Sequence, residues 1–568
     1  MTPSQSADLD VLFQELCRSD APGLVVGVAQ HGRTVYRRGF GLASVEHGVI
    51  NTPWTRMRIG STSKQFTCLA ALLLAEDGAL DVDASVRRYL PELPTHGGAE
   101  PTLRQLMTHT SGYRCHLDLG FIAAGMAIQP PGTAWATLLR QRDANFPPGS
   151  NMVYCNSGYH LLSRIIEQRS GMAFEDFLRQ RIFLPLGMHH TESLRSDFEL
   201  RAGCATLHVP RPAAQGGGWR RGIFPSEELL GEGAMVSTVD DMLRWLAHLR
   251  APTTLGGAAT WAQMLAPAVL DTGMASPYAL GLMRHDYRGL ELIHHPGGVT
   301  GGASQMLTVP AEGLDIIVIT NGAAVSPREL AERIVDLMLG GRLPRPRATQ
   351  ADAKRFAPML GTRYRGTDSG LVIGFAEAAG ETLGLCVLNT PPMPLRDEGQ
   401  DLRLPFQDLA VGPFELTSAQ LATGDGAAAP QSIELREAGR REVFELLPAH
   451  PLALADAGQA LVGHYRSADL AAAAHLYFEG EALILQITGT LGSSRLGLEA
   501  FSHDVFGWRE LDPAQPQART GVLRVQGRAG RVAGLRLDTL RTRHLWFERL
   551  DDMNPIPNSS KEFPDDAS

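Results

Sequence analysis

A serine three residues ahead of a lysine, Ser61-Thr62-Ser63-Lys64, is the segment of this chain best suited to covalent chemistry. On a helix the two side chains project from one face. A helix N-terminus would also lend positive potential and free N–H groups to an anion forming at the serine. A lysine held neutral can take the hydroxyl proton and turn the serine into a nucleophile. Alone, S-x-x-K is weak, and a capping serine with a chance lysine is the plain alternative. Composition adds weight. Of 52 basic residues only Lys64, Lys354 and Lys561 are lysine, the other 49 are arginine, and the first 350 residues hold Lys64 alone. Arginine stays charged in a protein, whereas a desolvated lysine gives up its proton.

Two further segments could complete such a site. Tyr154-Cys155-Asn156 follows Phe146-Pro147-Pro148-Gly149. A tyrosine beside a lysine can share its proton, acting as base and then as acid toward a leaving group. Asn156 offers an amide to orient Lys64 and a substrate carbonyl. His295-Pro296-Gly297-Gly298 comes next. Its glycines let a substrate lie against the backbone, and the Gly298 N–H could pair with that of Ser61 as an oxyanion hole. His295 could hydrogen-bond the substrate or relay a proton. For an isolated tyrosine or histidine a structural role is the ordinary reading.

The elements that must position these groups are partly readable. Residues 22–41 alternate around His31-Gly32, which predicts a β-hairpin. Phe66, Leu69, Ala70, Leu73 and Leu74 recur at helical spacing after Ser61, and Gly78 stops the helix. A second helix is expected from about Ser157 to Gln168, closed near Ser170-Gly171. Thr238 with Asp241 marks the start of a third. Strand-like runs at Met306–Pro310 and Leu314–Thr320 precede a last helix over Pro327–Leu339. Strands, then helices, then strands again give an α+β arrangement. At 568 residues the chain should hold about three or four domains. A Pro- and Arg-rich linker is expected over 341–355, after which the texture turns to short strands. Gly361-Thr362-Arg363-Tyr364-Arg365 is echoed by Gly463-His464-Tyr465-Arg466, and Phe444-Glu445 by Phe547-Glu548. This faint repeat predicts two small antiparallel β-barrels, 356–450 and 457–551, with a disordered tail over 552–568.

Composition excludes other classes. Hydrophobic residues at 44% and charged residues at 20% describe a globular chain. The net charge is −9 and no basic block stands out, which argues against a nucleic acid or an anionic membrane as partner. The six cysteines form no C-x-x-C pair, so neither a metal site nor a cofactor is expected. No basic start or long apolar run marks a leader, which gives a cytoplasmic reading.

S-x-x-K, then Y-x-N about 90 residues on, then H-x-G about 140 further, resembles the serine β-lactamase and penicillin-binding-protein superfamily. Leu106-Met107-Thr108-His109-Thr110-Ser111-Gly112, Pro185-Leu186-Gly187-Met188 and Gly231-Glu232-Gly233-Ala234 agree, so the likeness covers nearly all of residues 10–340. Within the superfamily the chain is most similar to the D-aminopeptidase branch, through H-x-G in place of K-T-G, the Ser61–Cys68 and Tyr154–Asn156 motifs, and two barrel-sized extensions. The resemblance implies helices packed on an antiparallel sheet, an acyl-enzyme on Ser61, a Lys64/Tyr154 proton-handling pair and a homodimer. It also implies a loop of the last domain that reaches the site and selects substrates with a free amine. The candidate is Gly489–Arg495, where Arg495 stands in place of an acid and would favour a carboxylate or acyl oxygen instead. The expected activity is metal-independent cleavage of D-amino-acid amides or of short peptides with an N-terminal D-residue. A related esterase, β-lactamase or D,D-carboxypeptidase, or an inactive ligand-binding scaffold, is the alternative.

Overall fold

The structure, a computed structural model, describes residues 3–343, 349–406, 411–424, 427–448, 453–512, 518–528 and 531–550. The expected tail lies outside the described residues. The first part of the chain is built on one antiparallel sheet of six strands. Their order is Met283–Tyr287, Leu290–Val299, Gly302–Val309, Leu314–Thr320, Leu24–Gln30 and Arg33–Phe40. The N-terminal hairpin turns at His31 (φ 51°) and Gly32 (φ 76°), the pair of left-handed residues that a tight two-residue hairpin requires.

Both faces of the two central strands are apolar, because both are covered. Val26, Val28, Ile316 and Val318 pack against Leu330, Ile334 and Val335 of the helix Pro327–Leu339. Val25, Ile317 and Ile319 face Val239 and Met242 of the helix Val239–Arg250 and belong to the same core as Phe66 and Leu69. Each such buried side chain contributes roughly 1.5–3 kcal/mol. The helix Lys64–Glu76, hereafter the nucleophile helix, is buried nearly all round. Beside it runs Asn156–Ser170, which ends on Gly171 in the left-handed conformation (φ 69°).

The expectation of helices on an antiparallel sheet followed by two β-barrels is met. A nearly closed ten-stranded sheet runs from Thr349–Gln350 to Arg440–Leu446, and a closed eight-stranded barrel from Gly463–Ser467 to Leu545–Arg549. The faint repeat has a structural meaning. In each unit the strand carrying Tyr364 or Tyr465 pairs with the closing strand, carrying Phe444-Glu445 or Phe547-Glu548. The expected linker is shorter than its sequence suggests: Thr349–Gln350 pairs with Arg396–Asp397, and Ala351 is in the core.

The barrel docks on the catalytic part through the helix His116–Ala124, whose Leu119 and Ile122 join the barrel's apolar core. Arg114, fully buried, donates to Asp469 (2.7 Å) and to the backbone oxygens of Arg543 (3.0 Å) and His544 (3.1 Å). Breaking one side of a buried, hydrogen-bonded pair leaves the other charge stranded. Arg114→Met is therefore expected to destabilise this interface by about 3–5 kcal/mol, read as a lower urea midpoint. Removing the half-exposed Arg104–Asp83 pair should shift stability by less than about 1 kcal/mol.

Candidate active site

Ser61 lies in a single 3₁₀ turn, Gly60–Ser63, that feeds the nucleophile helix. Close backbone contacts hold this turn. Gly60 has φ +53°, and a Cβ there would stand 2.7 Å from Gly298 N. A Cβ on Gly297 would fall 1.9 Å from Ile59 O. Thr62 Oγ1 donates to His295 O (3.1 Å) and Ser304 Oγ to Ile59 O (2.7 Å), so side chains also tie the turn to the strand Leu290–Val299 and its neighbour. On the other side Ile59 N donates to Met235 O (3.0 Å). The buried Arg58 guanidinium donates to the carbonyls of Leu194 and Ala234 (2.6 Å each) and pairs with Asp197.

Lys64 is fully buried, and its Nζ has three neighbours: Ser61 Oγ at 3.1 Å, Asn156 Oδ1 at 2.8 Å and Glu232 O at 2.6 Å. Two of these are carbonyl oxygens, which only accept. A neutral amine with two N–H groups satisfies both and leaves its lone pair for the Ser61 hydroxyl. Burial pushes Lys64 down to about 7, while the Glu232 charge pulls the other way. The spacing read from sequence thus becomes a direct contact between the Ser61 hydroxyl and an amine able to accept its proton.

Tyr154 is buried beside them, with Lys64 Nζ 4.8 Å from its ring centre. Burial raises its phenol well above the ordinary range, with the neighbouring Ser61 hydroxyl working in the other direction, so Tyr154 rests as a neutral O–H. A neutral phenol can donate a proton, whereas the neutral amine of Lys64 can accept one. The ring is held by His109 (4.1 Å between centres) and meets Tyr278 edge-on (6.2 Å). His109 accepts a hydrogen bond at Nδ1 from Cys155 N (3.0 Å). Sequence reading counted His109 only as part of a matching segment.

His295 takes a different part from the expected one. It is fully buried and does not line the cavity. Its Nδ1–H faces the Pro296 carbonyl, so Nε2 accepts from the Tyr278 hydroxyl (2.8 Å). Burial lowers its pKa to about 3, which keeps it neutral. It supports the tyrosine cluster from behind the cavity lining.

The nucleophile opens into a cavity of about 450 Å³. Asn156, Gly297 and Gly298 line it as expected. Gly298 has open space where a Cβ would point. Arg495 does not line it. Arg495 is on the strand Ser493–Ala500, its side chain turned outward to Glu479 (2.7 Å), while Ser494 points inward and donates to Ile122 O. The barrel reaches the cavity through Arg519 and Arg541 instead, and the ten-stranded unit through Phe406. Asp118, whose carboxylate accepts from Thr539 Oγ1, supplies a negative wall. Arg519 pairs with Glu510 (3.4 Å) and covers the Phe121 ring. Arg541 stacks over Tyr154, 5.1 Å from the ring centre, with no carboxylate paired to it among the described residues.

Two substitutions test this geometry. Gly297→Ala should push back the Ile59 carbonyl and cut acylation of Ser61 by a fluorophosphonate at least about a hundredfold with the fold retained. Arg495→Ala should change the acylation rate by less than about twofold, because an exposed pair contributes little.

The chain is similar over nearly its whole length to a D-aminopeptidase of Cereibacter sphaeroides, with 28% identity over 549 residues, 93% of this chain and 96% of that one. A D-aminopeptidase of Brucella ovis is likewise 28% identical over 543 residues, with the same coverage. Among solved structures, an octameric penicillin-binding protein homologue from Pyrococcus abyssi superimposes with a TM-score of 0.52 at 18% identity, covering 95% of this chain and 99% of that one. SurE gives 0.51 at 24%, covering 78% and 99%. These two likenesses show the fold. The Beta-lactamase family model matches residues 9–338, the span that carries Ser61, Lys64, Tyr154 and Gly298. By that match the chain belongs to the β-lactamase family.

Proposed function

We propose that this chain is a serine hydrolase that cleaves D-amino-acid amides, or short peptides with an N-terminal D-residue, through an acyl-enzyme on Ser61. The observation that carries the chemistry is Lys64 Nζ at 3.1 Å from Ser61 Oγ, with its remaining contacts made to two carbonyl oxygens. The substrate class comes from the relatives named D-aminopeptidase, which align over 93% of the chain. A homodimer belongs to the same reading and rests on resemblance.

In the first half-reaction Lys64 takes the Ser61 proton as Oγ attacks the amide carbonyl. The N–H groups of Ser61 and Gly298 receive the oxyanion. As the C–N bond breaks, the Tyr154 hydroxyl protonates the leaving amine and is replenished from the Lys64 ammonium. Water then attacks the ester with the same groups acting in reverse. Asp118 lines the cavity and would hold a free α-ammonium, the role that the sequence reading gave to the Gly489–Arg495 loop. The cavity volume suits a short substrate.

Arg541 favours a second reading. An unpaired cation over Tyr154 would attract a carboxylate on the acyl part and repel an ammonium there. Release of p-nitroaniline from D-alanine p-nitroanilide and its L-enantiomer, with Ser61→Ala as the blank, separates the two. Cleavage of the D-form alone supports the first reading. Silence toward both, with turnover of an N-succinyl analogue, would establish the second. Lys64→Arg keeps a basic side chain but fixes it as a cation that cannot take a proton, so acyl-enzyme formation seen by mass spectrometry should slow by at least about a thousandfold. Turnover close to that of the native chain in this variant would overturn the mechanism.

A further inference from the structure

At the cavity floor, which Glu232 helps to line, three potential metal ligands meet: His116 at the start of the helix His116–Ala124, His160 in the helix Asn156–Ser170, and Glu232 ahead of the strand Met235–Ser237. Their donor atoms all lie within 4.8 Å of one another, and all three residues are buried. Glu232 Oε1 stands 3.6 Å from His160 Nδ1 and 3.9 Å from His116 Nε2. Neither distance is a hydrogen bond. Among the described residues, both Glu232 carboxylate oxygens and both His160 ring nitrogens have no hydrogen-bond partner. A buried carboxylate without partners is costly, and native structures supply it with a donor or a cation.

The hydrogen-bond pattern indicates which. Ser157 Oγ donates to Arg114 O (2.7 Å) and accepts from His116 N (2.8 Å). Its proton is therefore committed, and its 3.3 Å contact with His116 Nδ1 must be donated by the ring. In the neutral ring this leaves His116 Nε2 as a lone pair aimed at a carboxylate. Two electron-rich groups facing each other at 3.9 Å repel unless a cation lies between them. Fixing the tautomer through the second ring nitrogen is the usual support for a metal-bound histidine.

We propose that His116, His160 and Glu232 bind one divalent transition-metal ion of the zinc type. Bonds of about 2.0–2.2 Å in tetrahedral geometry need donor atoms roughly 3.4 Å apart, so the two carboxylate–imidazole pairs must close by only a few tenths of an ångström, and the two imidazoles must approach from within 4.8 Å. Two imidazoles and a carboxylate suit zinc over calcium or magnesium, which favour all-oxygen sets. The ion positions rather than reacts. Glu232 supplies the carbonyl that receives Lys64 Nζ, and Gly233 beside it lines the cavity. Anchoring the Glu232 side chain holds that carbonyl in register with the nucleophile. No sequence spacing announces the site, because its ligands are 44 and 72 residues apart.

The test uses the full chain, stripped with a chelator and titrated with Zn²⁺ and, separately, with Co²⁺. The expected results are about one zinc per chain by elemental analysis and visible absorption from tetrahedral cobalt. Both should be retained in Ser61→Ala and lost in Glu232→Gln and His160→Gln, which keep side-chain volume. Should a variant not fold, the native chain still decides: cobalt bound to two imidazoles gives paramagnetically shifted histidine ring protons in NMR spectra. Less than about a tenth of an ion per chain, with ¹⁵N spectra showing an imidazolium at His160, would replace the metal by an ion pair and overturn the proposal. One ion per chain that survives both variants would also overturn it.

Discussion

The interaction on which the rest depends is the placement of one amine. Lys64 Nζ sits in a buried pocket, touching the Ser61 hydroxyl and two carbonyl acceptors that take its protons. Each contact comes from a different element: the 3₁₀ turn, the start of Asn156–Ser170, and the segment before Met235–Ser237. None of these could shift by an ångström without breaking the set. Much of the surrounding structure serves to prevent such a shift, from the glycine contacts at Gly60 and Gly297 to the buried guanidinium of Arg58.

The same logic accounts for the dense aromatic packing around Tyr154. Its hydroxyl has no hydrogen-bond partner among the described residues, so the ring must be held by its faces and edges. His109, Tyr278 and His295 do this, and the hydrogen bond from Tyr278 to His295 satisfies two polar groups that would otherwise be orphaned. The chemistry is thus kept at the centre of a rigid, largely apolar site, and the cations that could discriminate between substrates are brought in from outside it. Arg519 and Arg541 arrive on the barrel and Phe406 on the ten-stranded unit. Arg541 also acts on the centre itself, because its charge adds to the burial that lowers Lys64 and opposes the burial that raises Tyr154.

Much of this was legible in the residues. The hairpin at His31-Gly32, the nucleophile helix, the helix closed by Gly171 and the helix over Pro327–Leu339 announced themselves through periodicity and caps, which act over a few neighbouring residues. The serine and lysine were legible because a helical turn brings i and i+3 together wherever it occurs. Arg495 was misread for an equally local reason. Along a strand successive side chains alternate, so Arg495 turns outward to Glu479, while the barrel residues that reach the cavity, Arg519 and Arg541, come from later in the chain.

What the sequence determined by itself is the reactive pair, its supporting motifs and the order of helices and strands, because these follow from short-range stereochemistry. Only the tertiary structure decided the direction of His295, the neutral state of the buried Tyr154 phenol, and the convergence of Asp118, Arg519 and Arg541 on one cavity. It also decided the meeting of His116, His160 and Glu232. These depend on burial and on contacts between segments as much as several hundred residues apart, where no local pattern in the chain records which side chains will face each other.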